Sequence, residues 1–218
     1  MFQAVVFDMD GLMFDSERMI QRSWDVVGVK MGLGKMGKDI YHTLGLNNAE
    51  RERYFKSAYG EDFPYLEFRE NYRAEVARDT RENGTPVKKG LYELLEVLKE
   101  KQMKLAVATS SSYENTVELL KETKVYSYFQ EIVTGNMVEH SKPAPDIYQK
   151  ACEKLGVLPE HALALEDSYN GIRSGYAAGM KVIMIPDLLT DSSCVDDLLF
   201  AKMESLAEVA EAFRKGML

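Results

Sequence analysis

Short apolar runs alternate with stretches of helical periodicity over most of the chain, which predicts a parallel β-sheet flanked by helices. Apolar side chains recur at helical spacing, for example at Leu91, Leu94, Leu95 and Leu98. The predicted strands are residues 4–7, 105–108, 131–134, 162–165 and 181–185, with further helices over 146–155 and 171–178. Repeated strand–helix–strand units are typical of α/β folds in which helices cover both faces of the sheet.

Two helix starts are predicted from capping-box spacing. Ser111 and Glu114 lie three positions apart before an apolar helical stretch, and Ser205 and Glu208 do the same before the final helix. In a capping box the serine side chain binds the backbone N–H three residues later, and the glutamate side chain binds the backbone N–H of the serine. We therefore expect helices to begin just after Ser111 and Ser205.

Residues 15–85 interrupt the alternation and predict a helical cap inserted into the sheet domain. Apolar positions at helical spacing are Ile20, Trp24 and Val27 in one stretch, and Tyr65, Phe68, Tyr72 and Val76 in another. No convincing buried strand is found there, and Gly84-Thr85-Pro86 marks a turn at its end. The predicted organisation is an α/β core of residues 1–14 and 86–218 with a helical cap of residues 15–85. The connections at 14–16 and 84–86 would form a two-strand hinge.

One segment of the cap matches the dinucleotide-binding fingerprint letter for letter. It reads Gly32-Leu33-Gly34-Lys35-Met36-Gly37. The glycines of that fingerprint act only between a strand and a helix of a βαβ unit, and no strand is predicted before Gly32. We therefore interpret the segment as an ordinary flexible loop.

Composition and charge narrow the class of protein. The chain has 218 residues, of which 45% are hydrophobic, enough for one sizeable core with a smaller insert. The formal net charge of −8 argues against a nucleic-acid or acidic-membrane partner. Cys152 and Cys194 lie far apart without metal-ligand spacing, as expected of reduced thiols, and no apolar run is long enough to span a membrane. We expect a cytoplasmic protein, and nothing in the sequence indicates an oligomeric state.

Two carboxylates, Asp8 and Asp10, directly follow the first predicted strand. Residues two apart in a strand project to the same side, and Gly11 allows the chain to bend just beyond them. Taken alone, such a pair is also common where a strand becomes a turn. Ligands of open α/β sheets usually bind at this carboxyl end of the strands.

Three other segments carry polar groups to the same edge of the sheet. They are Thr109-Ser110-Ser111, Ser141-Lys142-Pro143 and Glu166-Asp167-Ser168. The first supplies hydroxyls and backbone N–H groups suited to an anion, the second a cation, and the third two more acids. Each has an ordinary alternative as a helix cap, a solvated lysine or a turn. Their coincidence at successive strand ends favours a functional site.

Acids gathered at one edge would repel one another unless a hard cation lay between them. Mg²⁺ prefers a few carboxylate oxygens, retains waters and takes a phosphate oxygen as a further ligand. A carboxylate can also act as the nucleophile of phosphoryl transfer, while a second acid protonates the leaving oxygen and then activates water. These residues therefore predict magnesium-dependent phosphoryl transfer.

In these motifs the sequence resembles the haloacid dehalogenase superfamily, and within it the small phosphatases similar to β-phosphoglucomutase. The four motifs are Asp8-Met9-Asp10-Gly11, Thr109, Lys142 and Glu166-Asp167, in the family's order. The resemblance covers the whole chain. It implies a Rossmann-like parallel sheet flanked by helices, with a helical cap inserted after the first motif.

The resemblance also implies a role for each matching residue. Asp8 would be the nucleophile and Asp10 the general acid and base. Thr109, Lys142 and the backbone N–H of Ser110 would bind the phosphoryl group. The Mg²⁺ ligands would be the Asp8 side chain, the Asp10 backbone carbonyl and Asp167, with Glu166 contributing. The substrate would be a small phosphorylated metabolite.

Hydrolysis is the preferred reaction among those that this resemblance allows. Dehalogenases lack an acid at the position of Asp10, and the mutases carry a histidine shortly after the position of Asp15, where this chain reads Arg18-Met19-Ile20-Gln21-Arg22. Transfer between sugar positions stays open as an alternative, as does a phosphate-binding regulatory module without turnover. His42, His140 and His161 are interpreted as surface or supporting residues. The cap residues that could contact the substrate are Arg18, Arg22, Lys35, Lys38 and His42.

Overall fold

The computed structural model describes residues 2–218 and consists of one six-stranded sheet with helices around it. The strands are β1 (Ala4–Phe7), β2 (Lys104–Thr109), β3 (Glu131–Thr134), β4 (Ala162–Glu166), β5 (Lys181–Met184) and β6 (Ala201–Lys202). The helices are α1 (Ser16–Lys30), α2 (Asn48–Tyr59), α3 (Tyr65–Asn83), α4 (Leu91–Glu100), α5 (Tyr113–Glu122), α6 (Asp146–Leu155), α7 (Tyr169–Ala177) and α8 (Leu206–Arg214). The predicted α/β fold is confirmed.

The sheet is parallel throughout, with strand order β3-β2-β1-β4-β5-β6. Strands β2 and β3 lie on one side of β1, and β4, β5 and β6 follow on the other side. The order therefore reverses between β1 and β4, and such a switch point opens a crevice beyond the carboxyl ends of the strands. The two-residue β6 was not predicted, because so short a run carries no periodicity.

Side-chain size differs between the two faces of the sheet. One face carries large residues such as Phe7, Val107 and Leu165, which pack with α4 and α8. The other carries small ones, including Ala106 and Ala164, beneath α6 and α7. Since consecutive strand residues alternate between faces, one run of β-sequence serves both layers. The small residues allow α6 and α7 to lie close to the sheet.

The helices of residues 15–85 enclose a hydrophobic cluster of their own. Trp24 from α1 lies at its centre, with ring centroids 5.1 Å from Phe55, 5.9 Å from Phe68 and 5.7 Å from Tyr72. Leu188, beyond β5, packs against this cluster from the core. The helix α2 was not predicted, although Asn47 and Glu50 form a capping box that signals its start. A cap of residues 15–85 stays a proposal that this separate cluster supports.

The two chain connections to the cap run side by side. Phe14 and Val87 form an antiparallel bridge. The Asp15 N–H donates to the Pro86 carbonyl at 2.9 Å, and the Lys88 N–H donates to the Met13 carbonyl at 2.9 Å. This pairing has the form of the predicted two-strand hinge.

The two predicted capping boxes are wrong in detail. Helix α5 is capped by Ser112, whose side chain accepts from the Asn115 N–H, because the Ser111 hydroxyl is bound elsewhere. Ser205 does precede α8, but its side chain makes no capping bond, and Glu208 instead accepts from the Glu204 N–H. Capping-box spacing predicted where both helices begin to within two residues, but it did not predict which groups form the hydrogen bonds there.

Three further findings bear on the sequence predictions. The glycine-rich segment at 32–37 lies in the loop after α1 and follows no strand, so no nucleotide-binding unit surrounds it. Cys152 and Cys194 are both free thiols. Within residues 2–218, the helices are too short or too polar to cross a lipid bilayer.

Candidate active site

The carboxyl ends of β1 and β4, which are neighbours in the sheet, bring the predicted acids together. Asp8 follows β1, and its N–H donates to the Leu165 carbonyl of β4 at 3.0 Å. Carboxylate oxygens of Asp8, Glu166 and Asp167 lie within 4.8 Å of one another, and all three residues are buried. Gly11 has φ +86° and lies against Asp167, where a Cβ would overlap the carboxylate. A glycine is therefore required both for the backbone turn and for the space beside Asp167.

Lys142 is the cation of this cluster and is only 1% exposed. Its Nζ donates to Asp8 Oδ1 and to Glu166 Oε1, both at 2.6 Å, and to the Ala108 carbonyl at 3.0 Å. Burial opposes the charge of this lysine, but the carboxylates of Asp8 and Glu166 outweigh that effect and raise the pKa of Lys142. Lys142 therefore stays charged beside Asp8.

Glu166 is fixed by partners on both carboxylate oxygens. The Tyr148 hydroxyl donates to Oε1 at 2.6 Å, alongside Lys142. Oε2 accepts from the N–H and the hydroxyl of Ser168, at 3.3 and 3.1 Å. Gly171 in the first turn of α7 leaves the necessary space, since a Cβ there would overlap the carboxylate. Glu166 is thus better placed to orient Lys142 than to move with a ligand.

Asp10 is held by hydroxyl groups from two directions. Ser16 Oγ, at the start of α1, donates to Asp10 Oδ1 at 2.8 Å, and Ser111 Oγ donates to Oδ2 at 2.7 Å. Thr109 Oγ1 lies 3.5 Å from the same Oδ2. These contacts join Asp10 to both the cap and the end of β2, and they explain why Ser111 does not cap α5.

The site contains more carboxylate groups than cationic side chains. Burial, with the neighbouring charges of Asp8 and Glu166, raises the pKa of Asp167 well above its ordinary value. Burial likewise raises the pKa of Asp8, although Lys142 opposes that shift. In residues 2–218, no hydrogen-bond donor or salt-bridge partner reaches the Asp167 carboxylate. A cluster of hard oxygen donors with surplus negative charge fits a divalent cation such as Mg²⁺.

A cavity of about 550 Å³ separates the cap from these residues. Its core end is lined by Asp8, Asp10, Thr109, Ser110 and Asp167. The segment around Gly45 closes one side, since the Ser110 hydroxyl donates to the Gly45 carbonyl at 3.2 Å. The Asn47 side chain donates to the Ser141 hydroxyl nearby. The cap therefore contacts the core loops on either side of Asp8.

The cap end of the cavity has an ion pair that the sequence analysis missed. Glu17 from α1 and Arg51 from α2 both line the cavity, with Glu17 Oε1 3.5 Å from Arg51 Nη2. Burial raises the pKa of Glu17 to about 7, although Arg51 opposes the shift. Neither residue belongs to a motif, and only the tertiary packing of α1 and α2 with α3 places them together.

The structure brings all the predicted site residues to one end of the sheet, and their roles stay predictions. The cap residues singled out from the sequence do not line the cavity: Arg18, Arg22, Lys35, Lys38 and His42. Arg18 instead pairs with Asp187 at 3.0 Å. His140 pairs with Asp146 and His42 stacks on Tyr54, both away from the cavity. Sequence reasoning also missed Ser16 and Tyr148, and it did not predict that the Ser111 hydroxyl bonds Asp10, because these contacts join segments that are distant in sequence.

Comparison with known proteins identifies the family. The family model described as haloacid dehalogenase-like hydrolase matches residues 5–185. The chain belongs to this family. The match spans all four motifs, so the family and the hydrolase class predicted from the sequence are confirmed, and the chain is a phosphoric monoester hydrolase by class.

The chain is similar to a named phosphatase and to solved structures of the same fold. The phosphorylated carbohydrates phosphatase of Thermotoga maritima is 31% identical over 184 residues, covering 83% of each chain. The crystal structure of a CbbY mutant from Rhodobacter sphaeroides with xylulose-(1,5)bisphosphate is 27% identical, with a TM-score of 0.82, covering 95% of this chain and 96% of that one. β-Phosphoglucomutase from Clostridium difficile, 18% identical with a TM-score of 0.80 over 100% of this chain and 99% of its own, shares the fold.

Proposed function

We propose that the protein is a magnesium-dependent phosphatase that hydrolyses small phosphorylated metabolites through an aspartyl-phosphate intermediate. One observation carries the proposal. Asp8 lies 2.6 Å from the Lys142 ammonium at the end of a cavity of about 550 Å³, with Asp10 fixed beside it by two hydroxyls. A nucleophile and a positioned acid thus line one space large enough for a small phosphate ester, and a buried cation is bonded to the nucleophile.

In the first step an Asp8 carboxylate oxygen attacks the phosphorus atom. The new bond joins that oxygen to phosphorus, and the bond between phosphorus and the leaving oxygen breaks. Asp10, in its protonated form, gives its proton to the leaving oxygen, and the alcohol departs. Lys142, the Thr109 hydroxyl and the Ser110 N–H stabilise the charge on the transferring group, which is the main source of catalysis in phosphoryl transfer.

In the second step water replaces Asp8 on phosphorus. Asp10, now ionised, accepts a proton from the water as the water oxygen attacks phosphorus. The bond between phosphorus and Asp8 breaks, so inorganic phosphate and free Asp8 are formed. Ser16 and Ser111 hold the Asp10 carboxylate from opposite sides, and this keeps it in place for both proton transfers.

The buried acids of the site would hold the metal ion. Asp8, Asp167 and the Asp10 backbone carbonyl are the proposed Mg²⁺ ligands. Glu166 contributes to the same acidic cluster and also holds Lys142 in place. When bound, Mg²⁺ supplies positive charge that offsets the surplus of acids and the charge of the phosphoryl group.

The free thiols at Cys152 and Cys194 support the cytoplasm as the proposed location.

Release of phosphate from an aryl phosphate, with Mg²⁺ or with a chelator, tests the proposal. We expect turnover only with Mg²⁺, and we expect Asp8→Asn to lower kcat by a factor on the order of 10³ or more, because the amide cannot act as the nucleophile. Asp62→Asn, an exposed change in the cap, is the matched control. Full residual activity of Asp8→Asn would contradict the assigned nucleophile.

The two alternatives give different outcomes in the same assay. A phosphate-binding module without turnover would hydrolyse no ester in the presence of Mg²⁺. A mutase would interconvert sugar phosphates when a bisphosphate is added and release little free phosphate. The segment 18–22 contains no histidine, which favours hydrolysis over transfer between sugar positions.

A further inference from the structure

The ion pair of Glu17 and Arg51 lies where the non-phosphate part of a substrate would be held. Both residues belong to the cap and line the same cavity as Asp8 and Asp10 of the core. Glu17 is 3% exposed, and the Arg51 side chain is 13% exposed. A buried ion pair is weak evidence for stability, because desolvating two charges costs about as much as their attraction returns. The pair therefore calls for a functional explanation.

Glu17 has a binding capacity that the protein does not use. Its Oε1 faces Arg51, while its Oε2 is buried without a hydrogen-bond partner. Leaving a buried carboxylate oxygen unpaired is costly, so a ligand group that binds it recovers that cost. A hydroxyl group suits both protonation states of Glu17, since it donates to a carboxylate and accepts from a carboxylic acid.

Arg51 also has unused donors. Its Nε donates to the Thr43 carbonyl at 3.4 Å, and its Nη2 faces Glu17 at 3.5 Å. A guanidinium group carries five N–H donors in a planar fork, so several remain for a ligand. Carboxylate and guanidinium side by side offer one acceptor and several donors, which matches neighbouring hydroxyls on a carbon chain.

The charge of the pair argues against a second phosphate at this position. Glu17 neutralises Arg51, and Asp10 adds further negative charge nearby, as its contribution to the raised pKa of Glu17 indicates. A phosphate group bound to Arg51 would also lie against the Glu17 carboxylate, and like charges in a partly buried site repel strongly. Neutral hydroxyls avoid this repulsion.

We propose that Glu17 and Arg51 form a hydroxyl-binding subsite, so that the substrate is the monophosphate of a polyol or sugar rather than a bisphosphate. This inference rests on the phosphatase function proposed above. Glu17 and Arg51 act here as residues that determine specificity, while the reacting atoms remain at Asp8 and Asp10.

Three phosphate esters with a common five-carbon chain test the subsite. Ribitol 5-phosphate carries hydroxyls, n-pentyl phosphate lacks them, and ribitol 1,5-bisphosphate adds a second phosphate. We expect kcat/KM of the wild type to be highest for ribitol 5-phosphate, by about tenfold or more over each of the others, the size of one hydrogen bond to a charged group. Assays at pH 8, above the pKa of about 7, keep Glu17 ionised.

Glu17→Gln separates the two parts of the inference. Losing the charged acceptor lowers the ratio of kcat/KM for ribitol 5-phosphate over n-pentyl phosphate about tenfold. Losing the charge that neutralises Arg51 raises the ratio for the bisphosphate over the monophosphate several-fold. Glu70→Gln, which removes an exposed acid from the same cap, is the matched control. If Glu17→Gln does not fold, Arg51→Lys tests the same ratios, because a lysine lacks the planar fork.

The outcomes distinguish this inference from the proposed function. If the wild type hydrolyses none of the three esters and no aryl phosphate, the phosphatase function fails. If hydrolysis occurs but Glu17→Gln and Glu70→Gln give the same ratios, the hydroxyl-binding subsite is overturned. A wild-type preference for the bisphosphate or for n-pentyl phosphate would overturn it as well.

Discussion

At the scale of single residues, the site is defined by an excess of buried acids over cations. Asp8, Glu166 and Asp167 lie together, and Lys142 is the one cation among them in the described part of the chain. Lys142 pairs with Asp8 and Glu166 and leaves Asp167 without a counter-charge. This imbalance lowers the stability of the metal-free protein and favours binding of a divalent cation.

Replacing Asp167 tests the metal site through stability as well as activity. Because burial and neighbouring acids raise the pKa of Asp167, its ionised form destabilises the fold as pH rises. We expect Asp167→Asn to raise the free energy of unfolding of the metal-free protein at pH 8. We also expect it to lower Mg²⁺ affinity by a factor on the order of 10². Chemical denaturation with a chelator and Mg²⁺ titration measure the two effects; lower metal-free stability would count against the charge surplus.

Glu17 predicts a pH dependence of stability. Its pKa rises from 4.5 to about 7 on folding, so the folded state holds its proton over that range and the unfolded state does not. Stability from this group is full below pH 4.5 and is lost as pH rises through about 7. Between pH 4.5 and about pH 7, we expect the free energy of unfolding of the wild type to fall by about 3 kcal/mol relative to that of Glu17→Gln. Denaturant titrations of both proteins measure it, and parallel curves would contradict the assignment.

At the scale of elements, strand ends and one helix start determine how well the site is held. β1, β2 and β4 deliver Asp8, Thr109 and Glu166 to one edge because their registers are aligned. Periodicity predicted β1 and β3 to the residue and the other long strands to within one, so the grouping of the motifs could be predicted. It could not predict that α7 begins against Glu166, since that depends on packing.

Gly171→Ala tests the fit between α7 and Glu166. A Cβ at this position would overlap the Glu166 carboxylate and displace it from Lys142. Alanine normally stabilises a helix by up to about 1 kcal/mol relative to glycine. A fall of about 1–3 kcal/mol in the free energy of unfolding would therefore indicate the overlap. We expect kcat to fall about tenfold or more. Arg173→Ala, an exposed change in α7, is the control; equal effects of both variants would argue against a packing role for Gly171.

At the scale of the whole molecule, the cap joins the core through the paired connections and through Asp187. The buried Asp187 carboxylate accepts from Lys88 at 2.7 Å, beside the hinge, and pairs with Arg18 of α1 at 3.0 Å. Leu188 packs against the cap cluster just beyond it. The loop after β5 therefore connects the base of the cap to the sheet, a role that no sequence motif indicated.

Asp187→Asn tests this connection. Arg18 is 42% exposed, so solvent screens part of the pairing, and we expect a loss of about 1–2 kcal/mol in the free energy of unfolding. Amide hydrogen exchange at Asp15 and Lys88, whose N–H groups cross-link the two connections, should become about tenfold faster. Asp191→Asn, a change in the exposed part of the same region, is the control. Unchanged exchange at the hinge would exclude a role for Asp187 in holding the cap.

The sequence by itself determined the α/β architecture, two of the inserted helices and the residues at the strand ends, because these follow from periodicity and motif order along the chain. Tertiary structure alone decided which groups meet across it: Tyr148 with Glu166, Ser111 with Asp10, and Glu17 with Arg51. Such contacts arise from the packing of segments that are separate in sequence, and periodicity specifies a buried face without specifying its partner.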